Sequence, residues 1–418
     1  MKVQNSYIKT SNINCLSLSE LRSSVNQKIA KQGNTESNYD VIVIGVGSMG
    51  SSACYSLAKE NINVLGIEQF DISHEFGSHT GQSRIIRKAY FEHPNYVPLL
   101  EKAYSNWKQF EDEVGEKLYH KTGLLYASKK EHQLLSGVKQ SAKLYNLEIN
   151  ELSTKEIKRQ FPQFAIPENY DCILEPDAGF LPPERAILKY TERALELGAT
   201  IKTNEKVINW TSEKDAITLV TNKQIYNCKK LIISAGAWAS KLVPQLKPEL
   251  KVTKQVLAWV IPHKEKDFYL GNFPCWNLAD SAGKGLFYGM PILPKERFGN
   301  PVGLKIGHHY HGEIKNPDDL KIKPNAEEES SLNDFIQELF PGALKKTFFE
   351  MKTCMYTNTS DENFIVDLHP ENNNIVVACG FSGHGFKFSS VIGEILRDFA
   401  IHGKTKMPIE FLNIKRLI

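Results

Sequence analysis

The sequence predicts an α/β protein, α+β taken as a whole, in which a Rossmann-like dinucleotide domain is combined with a second domain built on a sheet. Three observations predict it. Near the start, a β-branched run at 41–44 meets a glycine-rich turn and then a helical segment. Two later apolar runs, at 230–238 and 374–378, also end in small-residue turns, as further strands of the same domain would. Between them, 256–261, 285–289 and 302–307 carry alternating or aromatic strand patterns that break the strand–helix rhythm and so belong to another sheet.

The bulk properties bound the answer. A chain of 418 residues has room for two domains and the interior to enclose a large ligand. With 51 basic against 48 acidic residues and no dominant Lys/Arg block, nothing marks a nucleic-acid partner. The longest apolar run, 41–46, is of strand length, far short of a membrane span. Seven cysteines, at 15, 54, 172, 228, 275, 354 and 379, are odd in number and form no CxxC pair. That argues against zinc sites and disulfide frameworks and for a reducing, cytoplasmic setting.

The elements follow in order. Residues 1–38 are polar, lack the apolar core of a signal peptide, and are expected to be a mobile extension with a short helix around 18–31. Strand 41–44 then enters Gly45-Val46-Gly47-Ser48-Met49-Gly50, a helix over 51–59, and a second apolar strand, 64–67, ending in Glu68. Gly45 permits the tight turn, Gly47 lets backbone approach a pyrophosphate, Gly50 allows close helix–strand packing, and Glu68 can accept a ribose hydroxyl. The strand–turn–helix context makes this a dinucleotide site. The motif does not separate FAD from NAD, but the long, interrupted chain that follows favours FAD.

Next, "GSHTGQSRIIR" at 77–87 is a small, hydroxyl-rich loop able to lie along an extended ligand. Arg84 and Arg87 share a face if helical, or belong to a solvated one. Helices are predicted over 96–114, 130–147, 184–198 and 330–339, and strands over 121–127, 200–207, 217–221 and 224–227. Prolines 162, 167, 176, 182 and 183 mark a domain crossing. After strand 374–378, the turn "GFSGHGFKFSS" and a helix over 391–401 form another place where backbone amides can face a cofactor.

With these pieces in place, residues 39–415 resemble the monomeric sarcosine oxidase family of FAD-dependent amine oxidases, which includes N-methyltryptophan and L-pipecolate oxidases. The resemblance rests on "GVGSMG", "GSHTGQSRIIRKAY", "LIISAGAW", "CMYTNTSDENFIVDLHP" and "GFSGHGFKFSS". It implies a glutathione-reductase-like FAD fold, with 39–95, 182–248 and 350–418 as a discontinuous FAD domain and 96–181 and 249–349 as the substrate domain. It further implies FAD bound covalently through Cys354, with Ser78, Arg84, Gly383, Gly385, Phe386 and Lys387 contributing to the cofactor site. Arg87 and Lys387 would hold the substrate carboxylate, and Tyr356 would line the pocket. Lys305 would promote reaction with O2, beside His309 and Tyr288. Two departures stand out: Thr80 replaces a histidine common in the family, and Phe287 precedes Tyr288 where two tyrosines are usual.

The residue types suit that chemistry. Arg offers a bidentate fork and Lys a point charge, a suitable pair for one carboxylate. Aromatic walls favour a cationic amine by about 0.5–2 kcal/mol. The flavin takes the hydride, so the protein needs position and electrostatics more than a strong acid. The expected activity is oxidation of a secondary or N-methyl α-amino acid to an imine, with O2 reduced to H2O2, by a monomer with no membrane or nucleic-acid partner. A dehydrogenase using another acceptor, or a non-catalytic flavin-binding protein, are the alternatives. Lys305 between Leu304 and Ile306 fits a functional site but also an outward-facing strand lysine. His308, His309 and His311 have no cysteine or carboxylate at matching spacing apart from Glu313, so no metal is expected.

Overall fold

The computed structural model describes residues 16–33, 36–213, 216–279, 285–310, 312–320, 323–343 and 348–418; Cys15 and His311 lie outside them. Two eight-stranded sheets and a small three-stranded one organise the chain. In the first, Asn38–Ile44 lies between the parallel strands Val64–Ile67 and Ile225–Ile233, with Ile44 opposite both Ile67 and Ile233. Asn372–Cys379 continues it in parallel. Alternating residues of these strands enter two cores. Val41 and Val43 join a core with Ala53, Ile187 and Ile392 from the helices Ser48–Lys59, Pro183–Glu196 and Ser389–His402. Ile42, Ile44, Leu231 and Ile233 face the other way. Burial on both faces explains why these strands read as continuous β-branched runs.

The second sheet runs Glu350–Asn358, Lys251–Val260, Leu304–His309, Leu286–Met290, Cys275–Ala279, Leu124–Lys129, Tyr170–Glu175, Asn150–Leu152. Its pleat sorts side chains. Trp276, Leu278, Phe287 and Ile306 pack with Leu332, Ile336 and Leu339 of the helix Ala326–Leu339. Cys275, Leu286 and Met290 alternate onto the opposite face. Glu350–Asn358 pairs along its length with Lys251–Val260, so the chain enters the second sheet once more before Ile365–His369 and Asn372–Cys379 return to the first.

Three sequence expectations change. The segment 18–31 is docked rather than mobile: Ser17 and Glu20 form a capping box on the helix Leu18–Ala30, and Leu21 and Val25 are fully buried. Gln32 then uses its side-chain amide to satisfy both the N–H and the C=O of Ile201 on the edge strand Thr200–Lys202. Strand 200–207 is broken, because Asn204 adopts φ +53° and starts a turn before Val207–Glu213. Arg84 and Arg87 are not on a helix, since Arg84–Ile86 is a strand paired with Gly179–Leu181. Among the described residues no helix is long and apolar enough to cross a membrane.

Candidate active site

A cavity of about 450 Å³ runs from the glycine-rich turn to the second sheet. At its first end, Gly45 adopts φ +87°, and a Cβ there would meet Ser234 O at 2.6 Å. Gly50 lies against the backbone of Gly45, so the helix can start only with a hydrogen in that place. Gly47 has no atom near its missing Cβ and opens into the cavity with Ser48 and Met49. Gly47 is also the N-cap, so no side chain occupies the first amides of the twelve-residue helix Ser48–Lys59. Glu68 lines this end, its carboxylate accepting from Val46 N and Phe70 N at 3.0 Å each. Thr357 Oγ1 and His79 Nε2, both on the cavity wall, are buried without a hydrogen-bond partner. An open backbone cradle at a helix N-terminus and a buried carboxylate beside it fit a dinucleotide such as FAD.

The other end is cationic. Arg87 is buried, with Nη2 held by both oxygens of Glu92 at 2.5 and 2.7 Å, while Nη1 reaches only Ala89 O at 3.4 Å. The guanidinium stacks 4.2 Å over Tyr90 and 4.5 Å over Phe91. Burial raises the Glu92 pKa, but Arg87, with help from His384 and Lys387, outweighs it and leaves the carboxyl at about 2. Lys387 donates to His384 O at 2.6 Å and more weakly to Tyr90 OH at 3.4 Å. Burial first, then Arg87, push its amine well below the ordinary lysine range, with Glu92 opposing. His384 Nδ1 lies 2.5 Å from Tyr90 OH, and its Nε2 is 3.0 Å from Glu362 O.

Between the two ends stand Arg84, Tyr288, His309, Tyr356 and Cys354. Arg84 donates to Ser78 O at 2.8 Å and Thr80 O at 2.6 Å, folding the 78–84 loop around its own guanidinium. Tyr288 faces Gly307 across the strand pair, and any Cβ at 307 would strike the phenol ring. Burial pushes the Tyr288 hydroxyl up to about 12. His309 Nδ1 is 3.4 Å from Tyr356 OH. Cys354 and Tyr356 alternate onto one face of their strand and pack with Leu257 and Trp259. Burial raises the Cys354 thiol, with Arg84 and then Lys305 pulling it back toward the thiolate.

Gly45, Gly47, Ser48, Met49, Glu68, Ser78, Arg84, Arg87, Tyr288, His309, Tyr356, Gly383, Gly385, Phe386 and Lys387 all line this one cavity. Gly50, Thr80, Lys305 and Cys354 do not form its wall. Thr80 contributes a carbonyl to Arg84, and its neighbour His79 is the one on the wall. Lys305 is not an outward-facing lysine: only 2% exposed, it donates to Gly81 O and Ser83 O at 2.6 Å each. Burial, then Arg84, hold its pKa well below 10.5. His308 stacks on Phe287 at 4.0 Å while His309 faces the cavity, so the pleat separates the two histidines. Sequence reasoning missed Glu92, Tyr90 and Asn277. A carboxylate five residues after Arg87 was the available signal for the first.

Acid should unfold this site early. Burial holds His309 at about 4 and His384 at about 3, against 6.5 for a free imidazole. Unfolding therefore takes up protons below pH 6.5, and stability complete above that value falls as the pH drops toward 4 and 3, by roughly 3 kcal/mol from His309 alone. Glu92, whose folded value is depressed from 4.5 to about 2, adds a further loss below 4.5. Denaturant midpoints measured from pH 8 to pH 4 check this; a flat midpoint would mean that both imidazoles are charged in the fold.

The chain was compared with known proteins. The FAD dependent oxidoreductase family model matches residues 40–399. Monomeric sarcosine oxidase of Bacillus sp. (strain B-0618) is 39% identical over 387 residues, covering 91% of this chain and 96% of that one. N-methyl-L-tryptophan oxidase of Yersinia pestis (strain Pestoides F) is 32% identical over 384 residues, covering 91% and 99%. Among solved structures, NikD, an unusual amino acid oxidase essential for nikkomycin biosynthesis, superposes in its open form with TM-score 0.78 at 21% identity, over 90% of this chain and 98% of that one. L-proline dehydrogenase from P. horikoshii gives 0.76 at 22%, over 91% and 97%. These two share the fold: a mixed α/β assembly of a dinucleotide sheet and a second sheet. The chain belongs to the FAD-dependent oxidoreductases and, among them, to the family of the monomeric sarcosine oxidases and N-methyltryptophan oxidases.

Proposed function

We propose that the protein oxidises a secondary or N-methyl α-amino acid, with FAD attached through Cys354 and O2 as the acceptor. The observation that carries this reading is the union, in one cavity, of a dinucleotide cradle and the buried pair Arg87 and Lys387. Gly45, Gly47, Ser48 and Met49 would hold the pyrophosphate, with Gly50 letting the helix start close behind them, and Glu68 would take a ribose hydroxyl. Ser78, Arg84, Gly383, Gly385 and Phe386 would surround the flavin ring, and Cys354 would reach it from behind Tyr288 and Tyr356. When bound, FAD accepts two electrons and a hydrogen from the substrate carbon and passes the electrons to O2.

The chain's own residues bind and orient. Glu92 engages Arg87 through Nη2 alone, which leaves Nη1, with its weak 3.4 Å contact, for an incoming carboxylate. A carboxylate there also favours the charged form of Lys387, whose amine now faces Arg87 without a counter-ion of its own. Two cations beside the substrate disfavour a protonated amine, and the amine must be neutral to release hydride. Tyr288, Tyr356 and His309 form the wall against which its carbon skeleton rests. Lys305 places its charge one layer behind the wall, where it favours electron transfer to O2. The six described cysteines are free and buried, which suits a cytoplasmic enzyme. It works as a monomer, as its sarcosine oxidase relatives are named.

The test mixes enzyme anaerobically with sarcosine, pipecolate, proline and N-methyltryptophan and then admits air. At least one substrate bleaches the flavin, and air restores it with release of H2O2. In Lys305→Met the bleaching persists while reoxidation slows by ~100-fold or more, the scale of a lost preorganised charge. No bleaching by any of the four overturns the reading. Bleaching without O2 consumption replaces O2 by another acceptor.

A further inference from the structure

The strand Cys275–Ala279 presents Cys275, Asn277 and Ala279 on one face, with Trp276 and Leu278 buried on the other. On the cavity side Asn277 pairs in register with Tyr288 on one neighbouring strand and Tyr126 on the other. Both Asn277 and Tyr288 line the cavity, as do Leu286, Met290, Ile85 and Phe91. Asn277 is only 7% exposed, and its amide makes no side-chain hydrogen bond among the described residues. Its polar atoms open onto the cavity with no partner among the described residues, and in an otherwise apolar wall Leu or Met would pack without a polar group to satisfy. Asn277 is itself uncharged, and the nearby cations Arg84 and Arg87 act on the flanking Tyr288 and Tyr126, so the group its amide suits is a neutral one.

We infer that Asn277 is a specificity residue, selecting substrates whose side chain ends in a neutral hydrogen-bonding group, a carboxamide or a hydroxyl, that meets its amide while Arg87 and Lys387 hold the α-carboxylate. The substrate class is then a secondary or N-methyl α-amino acid with a polar, uncharged side chain. The inference rests on the proposed amine oxidation at this site. It adds a contact on the sheet wall that the carboxylate clamp does not supply, and a site built to hydrogen-bond a substrate group rejects the analogue lacking it.

Matched pairs test it on the holoenzyme. N-methyl-L-asparagine and N-methyl-L-leucine differ little in shape, as do 4-hydroxyproline and proline. Initial rates of flavin reduction under anaerobic conditions are read for each. The polar member of a pair should reduce the flavin with a second-order rate constant ~10–100-fold higher, and Asn277→Leu should abolish or invert that ratio. A wild-type preference for the apolar members overturns the inference, as does a polar preference that survives in Asn277→Leu. Should that variant fail to fold, the wild-type ratios decide alone. If no member of either pair reduces the flavin and the broader substrate panel also fails, it is the oxidase reading that falls, an outcome distinct from rapid reduction by proline and N-methyl-L-leucine only.

Discussion

Acid precipitation of the native protein should leave the yellow flavin in the pellet, and in Cys354→Ser the colour should pass to the supernatant. Cys354 differs from the other described cysteines in its setting. Cys54, Cys172, Cys228, Cys275 and Cys379 are all pushed up to about 12, with burial the first cause. Around Cys354, Arg84 and Lys305 together oppose that burial. The thiolate is the reactive form, and Arg84 first, then Lys305, favours it. Colour released wholly from the native protein would return Cys354 to a packing role beside Leu257 and Trp259.

Replacing Arg87 by Met should lower kcat/KM by ~10³-fold or more, since the Nη1 donor left for the substrate carboxylate is lost along with the buried charge. The same change should destabilise the fold. Glu92, partly buried, would be left without its main cation, which costs less than the about 3–5 kcal/mol seen when one partner of a fully buried pair is removed. The two effects separate in the double variant Arg87→Met/Glu92→Gln, where stability recovers and activity does not. Thermal unfolding and steady-state kinetics on the three variants check it. Normal kcat/KM in Arg87→Met, with only stability lost, would make the guanidinium a structural partner of Glu92.

The dinucleotide end was legible because its parts are contiguous. Strand, glycine turn, helix and acid follow within 31 residues, from Asn38 to Glu68, and each carries a local signature. The helix Val97–Val114 and the strand Asn372–Cys379 were legible for the same reason, through period and β-branching. Arg84–Ile86 was not, because a three-residue strand has no period to detect and forms only against Gly179–Leu181. Nor was the docking of Leu18–Ala30, whose two buried side chains are too few to stand out in a polar segment.

By itself the sequence determined the dinucleotide cradle and, through its resemblance, the family and the residues to watch. Tertiary structure alone decided what those residues touch. Lys305 could have faced solvent, yet the pairing of Met290 with Lys305 turns it inward, under the carbonyls of the 81–83 turn. Arg87 and Lys387 are 300 residues apart in the chain and meet only where the 87–92 loop reaches the turn after Asn372–Cys379. Glu92 as resident partner of Arg87, and Asn277 rather than Trp276 on the cavity wall, follow from strand register and pleat. A shift of one residue exchanges the two faces of a strand, and hydrogen bonds act only over about 3 Å, so contacts of this kind exist only once the sheets have paired.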